Sequence, residues 1–190
     1  MGKGRLEAFS DGVIAVIITI MVLEMKPPHG ASLDDLMGLV PTFLTYILSF
    51  VFVGIYWVNH HHFFHAVKKV TGGLLWANNH LLFWLSLIPF TTAWMGENHF
   101  TSWPVAIYGG NLLACAVAYT IMTVVVLKSH GPDSEIAKAI GRDKKGRVSL
   151  LLYVISIPLA VYMPSLSCAL FAMVALIWLV PDRRIERTLQ

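Results

Sequence analysis

Charge is scarce in this chain. Of its 190 residues 13% are charged, where a soluble globular domain carries about 25%. A water-facing surface cannot be covered with so few charges. Cysteine is scarce too. Cys115 and Cys168 each lie inside an apolar run, so they read as small buried residues and no disulfide framework is expected. The usual enzyme signatures are missing. There is no Gly-rich phosphate loop, no Gly-x-Ser-x-Gly elbow and no His-Glu-x-x-His pair. The reading is therefore of a protein that is not an enzyme, with no cofactor and no nucleic-acid partner. A Thr-Val-Gly-Tyr-Gly filter is absent, as is a four-arginine voltage sensor. Any ion selectivity would have to come from helix side chains. The first residues lead into Glu7 and Asp11 without a small-residue cleavage site, so no cleavable signal peptide is expected.

Apolar residues are abundant instead. They make up 56% of the chain, and mean hydropathy is +0.67. The sequence reads as one all-α integral membrane domain over residues 1–190. Six spans are predicted: 7–25, 38–64, 74–95, 104–128, 148–163 and 166–181. Each of the first four is close to the ~20 residues that a spanning helix needs. The last two are short and separated only by Met163-Pro164-Ser165, which predicts a tight helical hairpin. Pro158 predicts a kink in the fifth. The linker from Lys128 to Arg147 predicts a turn at His130–Asp133 and then a short basic helix against anionic headgroups.

The basic residues test the span count. With six spans, all of the 14 Lys and Arg except Lys26 fall on one side, while Glu24, Asp34, Asp35 and Glu97 share the other with Lys26. Cytoplasmic loops are enriched in Lys and Arg. Both termini are therefore predicted cytoplasmic, in a multi-pass protein of the cell membrane.

The spans carry polar groups at specific places. Arg5, Ser10 and Asp11 enter the membrane beside Gly12–Leu23, a run without charge. They read either as an interfacial helix cap or as a buried polar cluster facing the bundle. His80, within the third span beside Asn78 and Asn79, must find a partner if buried. A cluster joining it to Arg5, Ser10 and Asp11 is expected, with structural support as its role. His60, His61, His62 and His65 crowd the end of the second span. His61 and His65 have chelating spacing, but zinc needs further ligands; the expectation is interfacial histidines and no metal. Ala106, Gly110, Ala114 and Ala118 form a stripe of small residues that lets another helix approach. Trp57, Trp76, Trp94, Trp103 and Trp178 read as interfacial aromatics. Along the first span Val16, Ile20 and Leu23 share one face, with Thr19 next to it. This is either a lining for an ion path or ordinary membrane-helix periodicity.

Arg5-x-x-x-Phe9-Ser10-Asp11 at the start of a first membrane helix resembles the motif of the transmembrane protein 175 family of potassium channels. The Ile-rich run Val13–Glu24 resembles that family's pore helix. Tyr56-Trp57-Val58-Asn59-His60-His61 resembles its second helix, and Asn79-His80-Leu81 through Pro89-Phe90 its third. The resemblance implies six helices per chain and a homotetramer in the bilayer around a central pore lined by the first helix. It implies a channel modestly selective for potassium over sodium, with K+ as permeant ion and a hydrophobic side-chain constriction in place of a carbonyl filter. The layers it implies are Val16, then Thr19, then Ile20 and Leu23. Val16 stands where the family often has the larger Ile or Leu, which implies a slightly wider first layer. On the residues alone two other classes stay open, a secondary ion or proton transporter and a non-conducting membrane scaffold.

Overall fold

The computed structural model describes residues 2–134, 136–137 and 143–179. Among these residues the regular structure is all helical, and eight helices are described. They are α1 Lys3–Glu24, α2 Leu33–Met37, α3 Val40–Ala66, α4 Gly72–Ser86, α5 Ile88–Glu97, α6 Ser102–His130, α7 Lys144–Tyr162 and α8 Pro164–Leu179. By length and composition α1, α3, α6 and α7 can each cross a membrane, and α8 is a shorter apolar helix.

Hydrogen bonds between helices set their directions. Trp57 reaches Asp11, and Lys3 reaches the His65 carbonyl; these contacts descend α3 as they climb α1, so the pair is antiparallel. Asn78 bonds Ser10 near the starts of α4 and α1, which run side by side. Ser49–Tyr108 and Asn59–Tyr119 likewise run in step along α3 and α6. Trp178 donates to Ser149 and Ser167 to the Ser156 carbonyl, which folds α7 and α8 into the expected hairpin through Met163 alone. One end of the bundle carries Lys3 and His65, the other Glu24 and Glu97.

Two apolar cores hold the helices. One joins Leu6, Ile14, Ile17 and Met21 of α1 to Val53, Phe63 and Phe64 of α3, Leu81 and Leu85 of α4, and Met122 of α6. The other gathers Phe52, Met95, Tyr108, Tyr153 and Phe171 from α3, α5, α6, α7 and α8.

The structure corrects three expectations. The third span, 74–95, is two helices rather than one, with a break at Leu87. Pro89 has no N–H to offer the Leu85 carbonyl, and its ring crowds that carbonyl. The Leu87 N–H instead turns back to Trp84, three residues earlier, at 3.2 Å. Next, α1 begins at Lys3 with Gly2 as its cap residue. Ser10 and Asp11 therefore lie well inside the helix and do not cap it. The small-residue stripe is not tight at Gly110; the close approach is at its neighbour Gly109, outside the stripe. A Cβ there would meet the Phe171 ring at 2.7 Å, whereas Gly110 has open space. Pro158, where a kink is expected, lies inside the continuous α7.

Between α1 and α3 lies a helix the sequence did not announce. In α2 the Ser32 hydroxyl accepts from the Asp35 N–H while Asp35 accepts from the Ser32 N–H, a reciprocal cap. These bonds hold the Asp35 carboxyl below its ordinary range. The basic helix expected between Lys128 and Arg147 falls mostly on residues 138–142, outside the described residues. At its far side Asp143 caps α7 by accepting from the Gly146 N–H at 2.8 Å.

α5 crosses α3 closely at Gly96, where a Cβ would lie 2.7 Å from the Thr42 Cα. Backbone cannot swing aside as a side chain can. Gly96→Ala should therefore push α5 off α3 and lower stability by about 1–3 kcal/mol. Gly110→Ala should leave it unchanged or raise it. Thermal unfolding of the two variants in detergent checks both.

Candidate functional site

The first helix has two faces. Leu6, Ser10, Ile14, Ile17 and Met21 recur every three or four residues and are buried against the chain's own bundle. The opposite side is bare. Val16 is 53% exposed, Ile20 39% and Leu23 74%, and Thr19 is exposed beside them. The structure thus brings all four of these residues to one largely exposed face of α1, with Ile20 at its edge beside Pro89 and Phe90. Single exposed apolar residues are ordinary on a protein surface; a contiguous stripe on an otherwise anchored helix marks a contact or a path. The Thr19 hydroxyl donates to the Val16 carbonyl at 2.9 Å. Its proton is spent there, and its oxygen lone pairs remain to face outward, the arrangement that suits a cation.

What anchors α1 is a short hydrogen-bond chain across three helices. His60 Nε2 lies 2.8 Å from Asn78 Oδ1. That oxygen only accepts, so the imidazole carries its proton on Nε2. Asn78 Nδ2 donates to Ser10 Oγ at 3.0 Å, and Ser10 Oγ donates to the Leu6 carbonyl at 2.9 Å. Ser10 and Asn78 are wholly buried and His60 is 1% exposed. The His60 ring also lies against Phe64, centroids 4.4 Å apart. A second tie runs along the surface of the same helices, where Trp57 Nε1 donates to Asp11 Oδ1 at 3.1 Å.

His80 does not join this cluster. It is exposed and accepts from the Trp84 indole at 2.9 Å. Leu74, Ala77, Asn78, Leu81 and Leu85 line the buried side of α4, and a residue two places beyond Asn78 points to the opposite side of a 3.6-residue turn. Asn78 takes the part assigned to His80. Arg5 and Phe9 also lie on the exposed side of α1; among the described residues, the motif's bonds to other helices come from Ser10 and Asp11. His60 is likewise a buried network member and not an interfacial histidine; His61 and His65 are exposed. Trp57, read as an interfacial aromatic, is the partner of Asp11. Asn78 was legible from its place on the apolar i, i+3, i+4 stripe of the third span; His60 and Trp57 had no such signal. Among the described residues no three His, Cys, Asp or Glu side chains come together as metal ligands.

A family model described as the endosomal/lysosomal potassium channel TMEM175 matches residues 5–89. A potassium channel of Chryseobacterium sp. (strain P1-3) is 53% identical over 190 residues, covering 100% of this chain and 99% of its own length. The chain belongs to the TMEM175 family. A potassium channel of Streptomyces collinus (strain DSM 40733 / Tue 365) is 30% identical over 185 residues, 92% of this chain and 90% of its own. Among solved structures, the fold matches the crystal structure of a lysosomal potassium-selective channel TMEM175 homolog from Chamaesiphon minutus. The TM-score is 0.83 at 29% identity, over 95% of this chain and 97% of the other. TMEM175 proteins are ion channels and not enzymes. The four long apolar helices make this member a multi-pass membrane protein.

The Ser10–Asn78–His60 chain makes one forecast. Asn78→Leu removes a donor and an acceptor at once and leaves His60 and Ser10 buried without each other's bridge. Thermal unfolding should show a loss of about 1–3 kcal/mol. His80→Ala, which breaks only a contact within α4, should cost less.

Proposed function

We propose that this TMEM175 member is a cation channel in which four copies place α1 around a common axis, and that the ion passing is potassium. The observation that carries this reading is the bare stripe of Val16, Thr19, Ile20 and Leu23 on a helix whose other side is bonded and packed into the bundle. One such helix cannot enclose a path, so several copies must contribute, and the potassium channels among its relatives support K+ as the cargo. The α4–α5 pair supplies the remaining membrane crossing, giving six spans per chain. The near-total confinement of Lys and Arg to one side supports cytoplasmic termini in the cell membrane.

The chemistry follows from the side chains. A ring of Val16 excludes a fully hydrated cation and closes by dewetting. An ion that passes has to shed part of its water, and potassium sheds water at lower cost than sodium. Thr19 oxygens then replace some of the lost ligands. Preference for potassium from such a layer is modest, because few oxygens are fixed at the ion. Ser10, Asn78, His60 and the Asp11–Trp57 tie hold α1 in register and do not touch the ion. A secondary transporter would show broken helices in two matching halves; among the described residues the α4–α5 break has no counterpart.

Three measurements test the reading. The mass of the assembly in detergent should equal four chains. Cysteines introduced at positions 2 and 189 should resist impermeant reagents in intact cells. In liposomes carrying purified protein, Val16→Asn should raise flux and lower the preference for potassium, because polar groups would hold water where the layer now dries. Thr19→Val should lower the preference with assembly intact, and Ile18→Val, on the packed side, should change neither. Unaltered flux and preference in Val16→Asn would remove this face of α1 from the ion path.

A further inference from the structure

The break at Leu87 leaves two backbone groups without each other. In an unbroken helix the Ile88 N–H would bond the Trp84 carbonyl; here that carbonyl takes the Leu87 N–H at 3.2 Å, and the Ile88 N–H loses its helical partner. Both lie in a buried part of the bundle, with Ile88 wholly out of solvent. Membrane interiors supply no water to satisfy such groups. The side chain of Asn111, on α6 and 5% exposed, fills the gap. In the amide orientation that serves both ends, Asn111 donates to the Trp84 carbonyl at 3.1 Å and accepts from the Ile88 N–H at 3.3 Å. It re-enters the bond that the helix lost. Thr91 Oγ1, which donates to the carbonyls of Leu87 and Ile88, lies 3.4 Å from the same amide.

The height of this splice matters. Ser10 and Asn78 are bonded partners on α1 and α4, which run in parallel. Both helices rise ~1.5 Å per residue. Counting up equally from that bond sets Ile88 level with Ile20. The two sites also share space: one groove is lined by Ile20 and Glu24 of α1 together with Ser86, Pro89, Phe90 and Ala93 around the break. Ile17 and Met21, on the packed side of α1, belong to the same core as Leu85 and Ile88. The broken segment is thus the wall behind the bare stripe of α1.

We propose that Asn111 is a positioning residue for ion selection: by splicing α4 to α5 it fixes the wall that holds the Val16–Ile20 stretch of α1 at its working radius. The inference rests on the pore reading given above. Without the splice, α5 is free to tilt against α4, and the constriction loses a rigid backing. Asn111 touches neither the ion nor α1; it acts through the backbone at Trp84 and Ile88. Pro89 is the other half of the device, because it creates the gap that Asn111 closes.

The experiment measures the K+/Na+ permeability ratio and tetramer yield in liposome-reconstituted full-length protein. Asn111→Leu, in channels that still assemble, should lower the ratio roughly threefold or more. Pro89→Ala restores the N–H and lets α4 and α5 join; it should assemble normally and also shift the ratio. In the double variant the effect of Asn111→Leu should shrink, since the rejoined helix no longer needs the splice. A ratio unchanged from the parent in assembled Asn111→Leu, or in Pro89→Ala when Asn111→Leu does not assemble, overturns the inference and reduces Asn111 to a brace. Val16→Asn separates the two levels. If it alters flux while both splice variants are silent, the pore reading stands and this inference falls. If it too is silent, the pore reading falls and this inference goes with it.

Discussion

Every hydrogen-bonding group that this chain carries into its bundle must find a partner within the protein, because hydrocarbon offers none. That constraint organises the structure more than any single apolar contact does. Three polar sets meet it in series along the membrane. Ser10, Asn78 and His60 tie α1, α4 and α3 near one end. Asn111 and Thr91 serve the broken backbone between α4 and α5. Thr92, Ser49 and Tyr108 tie α5, α3 and α6, with bonds of 2.7 and 2.9 Å. No buried side-chain nitrogen or oxygen among the described residues is left without a partner. Apolar packing against lipid-like surroundings gives helices little reason to prefer one another; directional bonds supply the specificity.

The consequence for function is a helix divided lengthwise. On one side α1 is pinned by a bonded chain and by Leu6, Ile14, Ile17 and Met21 in the core. On the other it leaves Val16, Thr19 and Leu23 largely exposed, with Ile20 at the edge of a groove beside Pro89 and Phe90. A pore-lining helix needs both properties together. If the packed side were loose, the radius of a dewetting layer would wander, and an ångström decides whether water stays. On the proposed pore reading, Ser10 and Asp11 serve ion passage indirectly, as ties that keep the bare face aimed.

Much of this was legible beforehand, for identifiable reasons. Spans of α1, α3 and α6 could be read because length and apolarity alone mark a membrane crossing. The face of Val16, Ile20 and Leu23 followed from helical spacing, and its importance from the resemblance of Arg5, Phe9, Ser10 and Asp11 to a family motif. The hairpin of α7 and α8 followed from the three residues that separate them. His80 was misplaced because a histidine among apolar residues looks like the polar group with most to satisfy. Position on the α4 surface, not polarity, decided that Asn78 is inside.

What the sequence determined by itself is the class of solvent and the helices that apolar run length and periodicity write out; which face of α1 is which was only implied by the resemblance. Those depend on neighbours within a few turns along the chain. Tertiary structure alone decided which polar residues meet. Ser10 and Asn78 are 68 positions apart, and their bond exists only because α1 and α4 run in parallel at one register. It also decided that the third span breaks and remains tolerable. Pro89 announces a weak point, but whether a proline bends, kinks or splits a helix depends on whether another segment can satisfy the freed backbone. Here Asn111, from the next span, is placed to do so, and no local pattern could have said that it would arrive there.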